Sequence, residues 1–193
     1  MDNIFELLMF LVVIGTSVFR FIKGRKVKKA REQLATLAPI LNASVDPGRQ
    51  SISGNIDAVP FKVKYEPPVE NQPERLNVTL TKPLPFTLNV TQRQGVYDRE
   101  EANKAGEFLL EDKKFDERFT VTTDDVNACR EYLIDPLFSQ GVDFMISQGY
   151  SIRFTRRRAV FTTPYSAWLS DTETAAEELK KTLQLGYSMI AEF

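Results

Sequence analysis

The sequence predicts an α+β fold in which an N-terminal single transmembrane helix is followed by a mostly antiparallel sheet covered by helices. An apolar run opens the chain, and short runs of alternating polar and apolar residues follow it, with longer runs of helical periodicity after those. Alternation with a period of two is typical of half-buried strands, whereas apolar spacings of three and four are typical of helices. We expect a transmembrane helix at 1–23, a basic juxtamembrane helix and linker at 24–45, and a cytoplasmic α+β domain at 46–193.

The predicted membrane span rests on residues 4–22, whose only charges are Glu6 and Arg20 near the two ends. A helix of about 19 residues reaches roughly 28 Å, close to the hydrocarbon thickness of a bilayer. A cleaved signal peptide would begin with basic residues, but Asp2 and Glu6 come first here. We therefore expect a span in preference to a signal peptide or a buried core helix.

A basic cluster directly after the apolar run sets the expected orientation. The positive-inside rule places it in the cytoplasm, which predicts a single-pass protein of the inner (cytoplasmic) membrane with its N-terminus outside. Residues 1–31 hold seven basic and two acidic residues, whereas residues 32–193 hold 18 basic and 24 acidic ones. This basic cluster, which we call the collar, can attract anionic lipid headgroups, but we favour the alternative that it only sets topology. Its members are Lys23, Arg25, Lys26, Lys28, Lys29 and Arg31.

The middle of the predicted span carries small side chains, which let a second helix approach closely. Another membrane protein subunit is therefore an expected partner, beside the lipid bilayer itself. The residues expected to contact it are Leu11, Gly15, Thr16, Val18 and Phe19.

The elements after the span follow from periodicity. Apolar residues recur at helical spacing over 25–38, which predicts a helix that packs on its own domain, on a partner or on the bilayer. Strict alternation then predicts four strands, at 52–56, 61–65, 76–80 and 86–90.

The second half of the chain alternates between strands and helices. Two short strands are expected at 108–110 and 119–121, and a hairpin at 150–161. Capping residues predict a helix around 126–133, another that begins at Pro136 and ends before Gly149, and a closing helix after Ser170.

Composition excludes several classes of chemistry. The chain has no histidine and one cysteine, Cys129, so it holds no intramolecular disulfide, no Cys/His zinc site and no Ser-His-Asp triad. Cys129 lies on the apolar stripe of a predicted helix, where we expect a small core residue. The paired carboxylates, such as Asp124 and Asp125, are expected at the surface and at helix caps. We predict no cofactor, no metal and no enzymatic activity.

Three consecutive arginines, Arg156 to Arg158, fall at the predicted hairpin turn. Such a run can hold an anion, or anionic lipid together with the basic collar. We expect it to be solvated, and the acidic surroundings oppose nucleic-acid binding.

The stretch 115–133, FDERFTVTTDDVNACREYL, carries an FDxxFxV-type pattern. It resembles a stretch in uncharacterised bacterial membrane-anchored proteins that have a cytoplasmic α+β domain of unknown function. The resemblance implies the same topology and fold, and it transfers no site residue.

Two functions are consistent with these observations. The first is a non-catalytic accessory subunit of a larger membrane protein complex, for which an energy-transducing complex, photosynthetic or respiratory, is a natural host. The second is a membrane-surface module that binds anionic lipids through the collar. An enzyme with carboxylates assembled from distant residues is a third, less favoured alternative.

Overall fold

The computed structural model describes residues 24–69, 72–93, 102, 107–110, 112–165 and 172–191. Its centre is an eight-stranded sheet made of β1 (Ser44–Asp46), β2 (Ser51–Ile56), β3 (Val59–Glu66), β4 (Arg75–Leu80), β5 (Leu88–Gln92), β6 (Phe119–Thr123), β7 (Ser151–Thr155) and β8 (Arg158–Pro164). The strands lie in the order β1-β2-β3-β4-β8-β7-β5-β6, and every neighbouring pair is antiparallel.

Three of the described helices begin at an aspartate side-chain cap: Asp112, Asp125 and Asp135. Asp125 accepts a hydrogen bond from the backbone N–H of Ala128, and Asp135 accepts one from Leu137, so each carboxylate satisfies a free N–H at a helix start. Gly149, at φ +78°, follows the helix that Asp135 caps. The helices are α1 (24–40), α2 (Lys113–Arg118), α3 (Val126–Ile134), α4 (Pro136–Ser147) and α5 (Thr172–Ala191).

One face of the sheet forms the core with the helices. The apolar alternates of the strands, such as Val63, Val78 and Phe161, are fully buried on this side. Helix α5 lies close against it, since a Cβ added at Gly186 would stand 2.7 Å from the ring of Phe161 and 3.1 Å from Leu80. Only glycine permits this approach, which holds α5 against the centre of the sheet.

Helix α1 packs into the same core through Leu34 and Leu37, and polar contacts fix its N-terminal half. Glu74 accepts hydrogen bonds from Lys26 at 3.1 Å and from the phenol of Tyr65 at 3.0 Å. These contacts lie at the end of the sheet where β3 ends and β4 begins.

A buried polar network holds the segment before α2. The guanidinium of Arg93 forms a 2.7 Å ion pair with Glu107, and both side chains are nearly buried. Asp116 is buried and accepts a hydrogen bond from the N–H of Leu110. The FDxxFxV stretch is therefore structural: Phe115, Phe119 and the side chain of Asp116 all lie in the interior.

Two sequence predictions need correction. The predicted fold class included a transmembrane helix, but none of the described helices is long and apolar enough to cross a membrane, so the fold class of the described chain is α+β with an antiparallel sheet. The predicted span at 1–23 lies outside the described residues. The strand predicted at 108–110 was also wrong. The N–H of Phe108 donates to the carbonyl of Val121, but the N–H of Leu110 donates to the Asp116 carboxylate instead of to a neighbouring strand.

Candidate functional site

The second face of the sheet is the most distinctive surface of the described chain. Here the polar alternates of the strands point away from the core, and no described helix covers them. We call this surface the open face. Its side chains lie on the six neighbouring strands β3, β4, β8, β7, β5 and β6 and are partly or fully exposed: Lys62, Lys64, Glu66, Arg75, Asn77, Thr79, Asn89, Thr91, Thr120, Thr122, Ser151, Arg153, Thr155, Arg158, Val160 and Thr162.

Strand register aligns one row of side chains across the open face. Lys62 pairs with Thr79, Thr79 with Val160, and Val160 with Arg153. Asn89 continues the row as the neighbour of Arg153. Since neighbouring strands lie about 4.8 Å apart, Lys62 and Arg153 are separated by roughly 14 Å.

The open face is cationic, in contrast with the acidic body around it. Five basic residues on β3, β4, β7 and β8 project from it, against one acidic residue, Glu66. Glu66 forms ion pairs with Lys64 at 3.2 Å and with Arg75 at 3.5 Å. Lys62 and Arg153 have no hydrogen-bond or ion-pair partner within the described part of the chain, so their charges are available to a binding partner.

A groove of about 370 Å³ lies beside Arg153 at the end of the open face where β5 begins and β6 ends. At its edge the carboxylate of Asp124 accepts a 2.6 Å hydrogen bond from the N–H of Thr87 and a 3.1 Å bond from Arg156. The Thr87 bond and the Arg156 charge lower the pKa of Asp124. This carboxylate is therefore fixed and ionised, which suits a structural role better than proton transfer.

A second groove, of about 300 Å³, lies at the opposite end of the same face. Arg75 and the hydroxyl-bearing residues Thr91, Ser151 and Thr162 line it on this face, and at the edge of the sheet it reaches Tyr150 and Thr163 on the helix-covered side. The Nε of Arg75 is buried without a hydrogen-bond partner, whereas its Nη2 donates to Gln72 at 2.8 Å. Both grooves thus offer a guanidinium beside hydroxyls, a combination that binds oxygen-rich anionic groups.

The predicted headgroup residues from 25 to 31 lie on the first two turns of α1 and are exposed. Lys26 is paired with Glu74 at 3.1 Å and Lys28 with Glu32 at 3.8 Å. Lys29 and Arg31 have no partner in the described chain. The sixth predicted residue, Lys23, lies outside the described residues, as do the expected helix-contact residues Leu11, Gly15, Thr16, Val18 and Phe19.

The three arginines of the β7–β8 turn lie far from the basic helix. Arg158 begins β8, whereas Tyr165, just after that strand, donates a 2.6 Å hydrogen bond to Gln33 of α1. The strand between them is roughly 20 Å long. The structure therefore does not bring the arginine triplet and the collar together.

The other residues singled out from the sequence have structural environments. Cys129 is fully buried, which confirms it as a core residue, and burial raises the pKa of its thiol to about 11. Asp125 caps α3. Within the described ranges, no group of three or more His, Cys, Asp or Glu residues is placed to hold a metal ion.

Sequence reasoning missed the open face as a site. The alternation of polar and apolar residues along β3, β4 and β5 predicts which side of the sheet each side chain occupies. It does not indicate that Lys62 and Arg153 share one row, because that depends on the pairing of β4 with β8.

Comparisons with known proteins bear on the fold alone. No protein-family model matches the chain, and no curated protein matches it by sequence. The crystal structure of the mycobacterial trehalose monomycolate transport factor A is similar to it, with a TM-score of 0.57 and 9% sequence identity. The similarity covers 83% of this chain and 94% of that one.

Proposed function

We propose that this protein is a non-catalytic accessory subunit of a larger membrane protein complex, and that it binds an acidic surface of a partner subunit through the open face. The observation that carries the proposal is the uncovered row containing Lys62 and Arg153, two cations without partners in the described chain. A sheet face that no described helix covers presents a broad surface, which suits another macromolecule better than a small substrate.

Electrostatics supports a protein partner of opposite charge. Complementary charge across an interface accelerates association and excludes wrong partners. The open face has five basic residues to one acidic residue, while residues 32–193 as a whole carry more acidic than basic residues. The groove carboxylate of Asp124 is already engaged by Thr87 and Arg156, which supports a binding role in preference to a catalytic one.

The cellular location in this proposal, the cytoplasmic side of the inner membrane, comes from the sequence. The solved protein with the similar fold is a transport factor by name, and a role that assists other components is in line with that name.

A site-specific cross-link tests the proposal. A photoreactive amino acid at Thr79, in the centre of the charged row, should form a cross-link to one partner protein in native membranes. The same group at Lys180, exposed on α5, is the matched control and should not form it. A cross-link from Lys180 and none from Thr79 would place the interface elsewhere.

The basic helix favours a second candidate, an anionic-lipid-binding module, because Lys29 and Arg31 are exposed and unpaired in the described chain. It predicts salt-sensitive binding to vesicles rich in anionic lipid. The double variant Lys29→Glu/Arg31→Glu should abolish this binding. Vesicle binding that persists in the variant would remove the candidate.

A further inference from the structure

A cavity of about 410 Å³ lies between α4 and α5, on the helix-covered side of the sheet. Its volume is within the range of small-molecule sites. Its lining residues are Phe144, Gln148, Tyr150, Thr163, Glu178, Lys181 and Thr182. It shares Tyr150 and Thr163 with the second groove, which opens at the edge of the sheet, but no charged residue with the open face.

Two polar side chains of the cavity occupy positions that are otherwise apolar, on the buried side of a strand and on the buried stripe of a helix. Thr163 follows Ala159 and Phe161 on the buried side of β8, and Thr182 follows Leu179 on the buried stripe of α5. Thr163 and Thr182 are two of the four buried polar side chains in the part of the chain that the structure describes. Hydroxyls at such positions cost stability unless they are hydrogen-bonded.

The hydrogen-bonding capacity of these hydroxyls is only partly used. Thr182 donates to the phenol oxygen of Tyr150 at 3.1 Å, whereas the hydroxyl of Thr163 is buried without a protein partner. Burial holds the pKa of Tyr150 far above its usual range, so the phenol keeps its proton. Because Tyr150 accepts the bond from Thr182, that proton is available to an acceptor on a ligand.

The rim of the cavity indicates the charge of the ligand. Glu178 and Lys181 both line the cavity and carry opposite charges, so the rim favours neither an anion nor a cation. The ammonium of Lys181 lies 4.0 Å from the ring centroid of Phe144, which supplies an apolar wall. A ligand with vicinal hydroxyls can form hydrogen bonds with carboxylate, ammonium and hydroxyl groups that lie beside an aromatic ring.

From this combination we infer that the cavity between α4 and α5 binds a small, uncharged polyhydroxy compound of sugar size, with Tyr150 and Thr163 as the hydrogen-bonding floor. The inference does not depend on the open face or on the function proposed above.

Ligand-observed NMR on the full-length protein, in buffer free of sugar-based detergent, tests this site. D-glucose and maltose are the probes, and inorganic phosphate and glycine are the charged alternatives. We expect saturable binding of at least one sugar. Thr163→Val should weaken that binding at least tenfold, without lowering the unliganded melting temperature, because it removes a hydroxyl that has no protein partner.

Two further variants keep the test decisive. Tyr150→Phe should also weaken sugar binding, and it stands in for Thr163→Val should that variant fold poorly. Thr120→Val is the matched control, since Thr120 is a strand threonine on β6 that lines neither the cavity nor either groove. No saturable sugar binding, equal binding by Thr163→Val and the wild type, or binding of phosphate or glycine in place of sugar would each overturn the inference.

Discussion

Lys62 and Arg153 project from the same face of the sheet in one cross-strand row, three strands apart, and neither has a partner among the residues that the structure describes. Their separation of roughly 14 Å exceeds the Debye length at physiological salt, about 8 Å, so their mutual repulsion is small. A partner with acidic side chains in matching positions can engage both without breaking an existing ion pair.

The buried ion pair between Arg93 and Glu107 should contribute strongly to stability. Arg93→Ala leaves the Glu107 carboxylate nearly buried and uncompensated, which we expect to cost about 3 kcal/mol of unfolding free energy. Urea denaturation measures this cost. The control is Arg118→Ala, which breaks an exposed pair with Asp143 and should cost less than about 1 kcal/mol. Equal losses in the two variants would show that the burial of the first pair has no energetic consequence.

Gly186 should tolerate no side chain, because α5 approaches the sheet closely there. Gly186→Ala places a Cβ 2.7 Å from Phe161, and we expect a loss of about 1–3 kcal/mol from overpacking. Gly24→Ala is the control: its Cβ has open space and alanine favours a helix, so stability should stay the same or rise slightly. A wild-type melting temperature for Gly186→Ala would show that α5 lies further from the sheet.

Stability should decline at alkaline pH. Burial raises the pKa of Cys129 from 9.0 to about 11 and that of Tyr165 to about 12. The native state therefore holds these protons more tightly than the unfolded chain, so the unfolding free energy falls as pH rises from 9 to 11. Denaturation midpoints at pH 8 and 10.5 measure the change. In Cys129→Ala the fall should begin nearer pH 10, and a midpoint independent of pH would contradict the buried positions of these groups.

Much of the fold could be predicted because it depends on local pattern. Alternation located the main strands, and the carboxylates at Asp125 and Asp135 marked the starts of α3 and α4, as the structure shows. The strand predicted at 108–110 was wrong, because hydrogen bonds hold this apolar segment in place without a strand partner. Leu110 donates to the Asp116 carboxylate and Arg93 donates to the Asp116 carbonyl, and periodicity does not reveal such contacts.

The candidate sites depend on which strands pair across long stretches of chain, and this pairing cannot be predicted from the sequence pattern. β4 meets β8 across about eighty residues of chain, and this pairing places Lys62 and Arg153 in one row. The cavity likewise requires Thr163 of β8 and Thr182 of α5 to face Tyr150. Thr163 and Thr182 interrupt apolar positions, which is the signal that could have marked them.

Charge reversal on the open face tests the central proposal most directly. The chain, tagged at its C-terminus, is purified from native membranes in mild detergent, and the bound proteins are quantified by mass spectrometry. We expect a stoichiometric membrane protein partner that is lost in Lys62→Glu/Arg153→Glu. The same partner should be retained in Lys114→Glu/Lys180→Glu, which reverses two exposed charges away from that face. Retention of the partner by the open-face variant, with its fold intact by circular dichroism, would contradict the account.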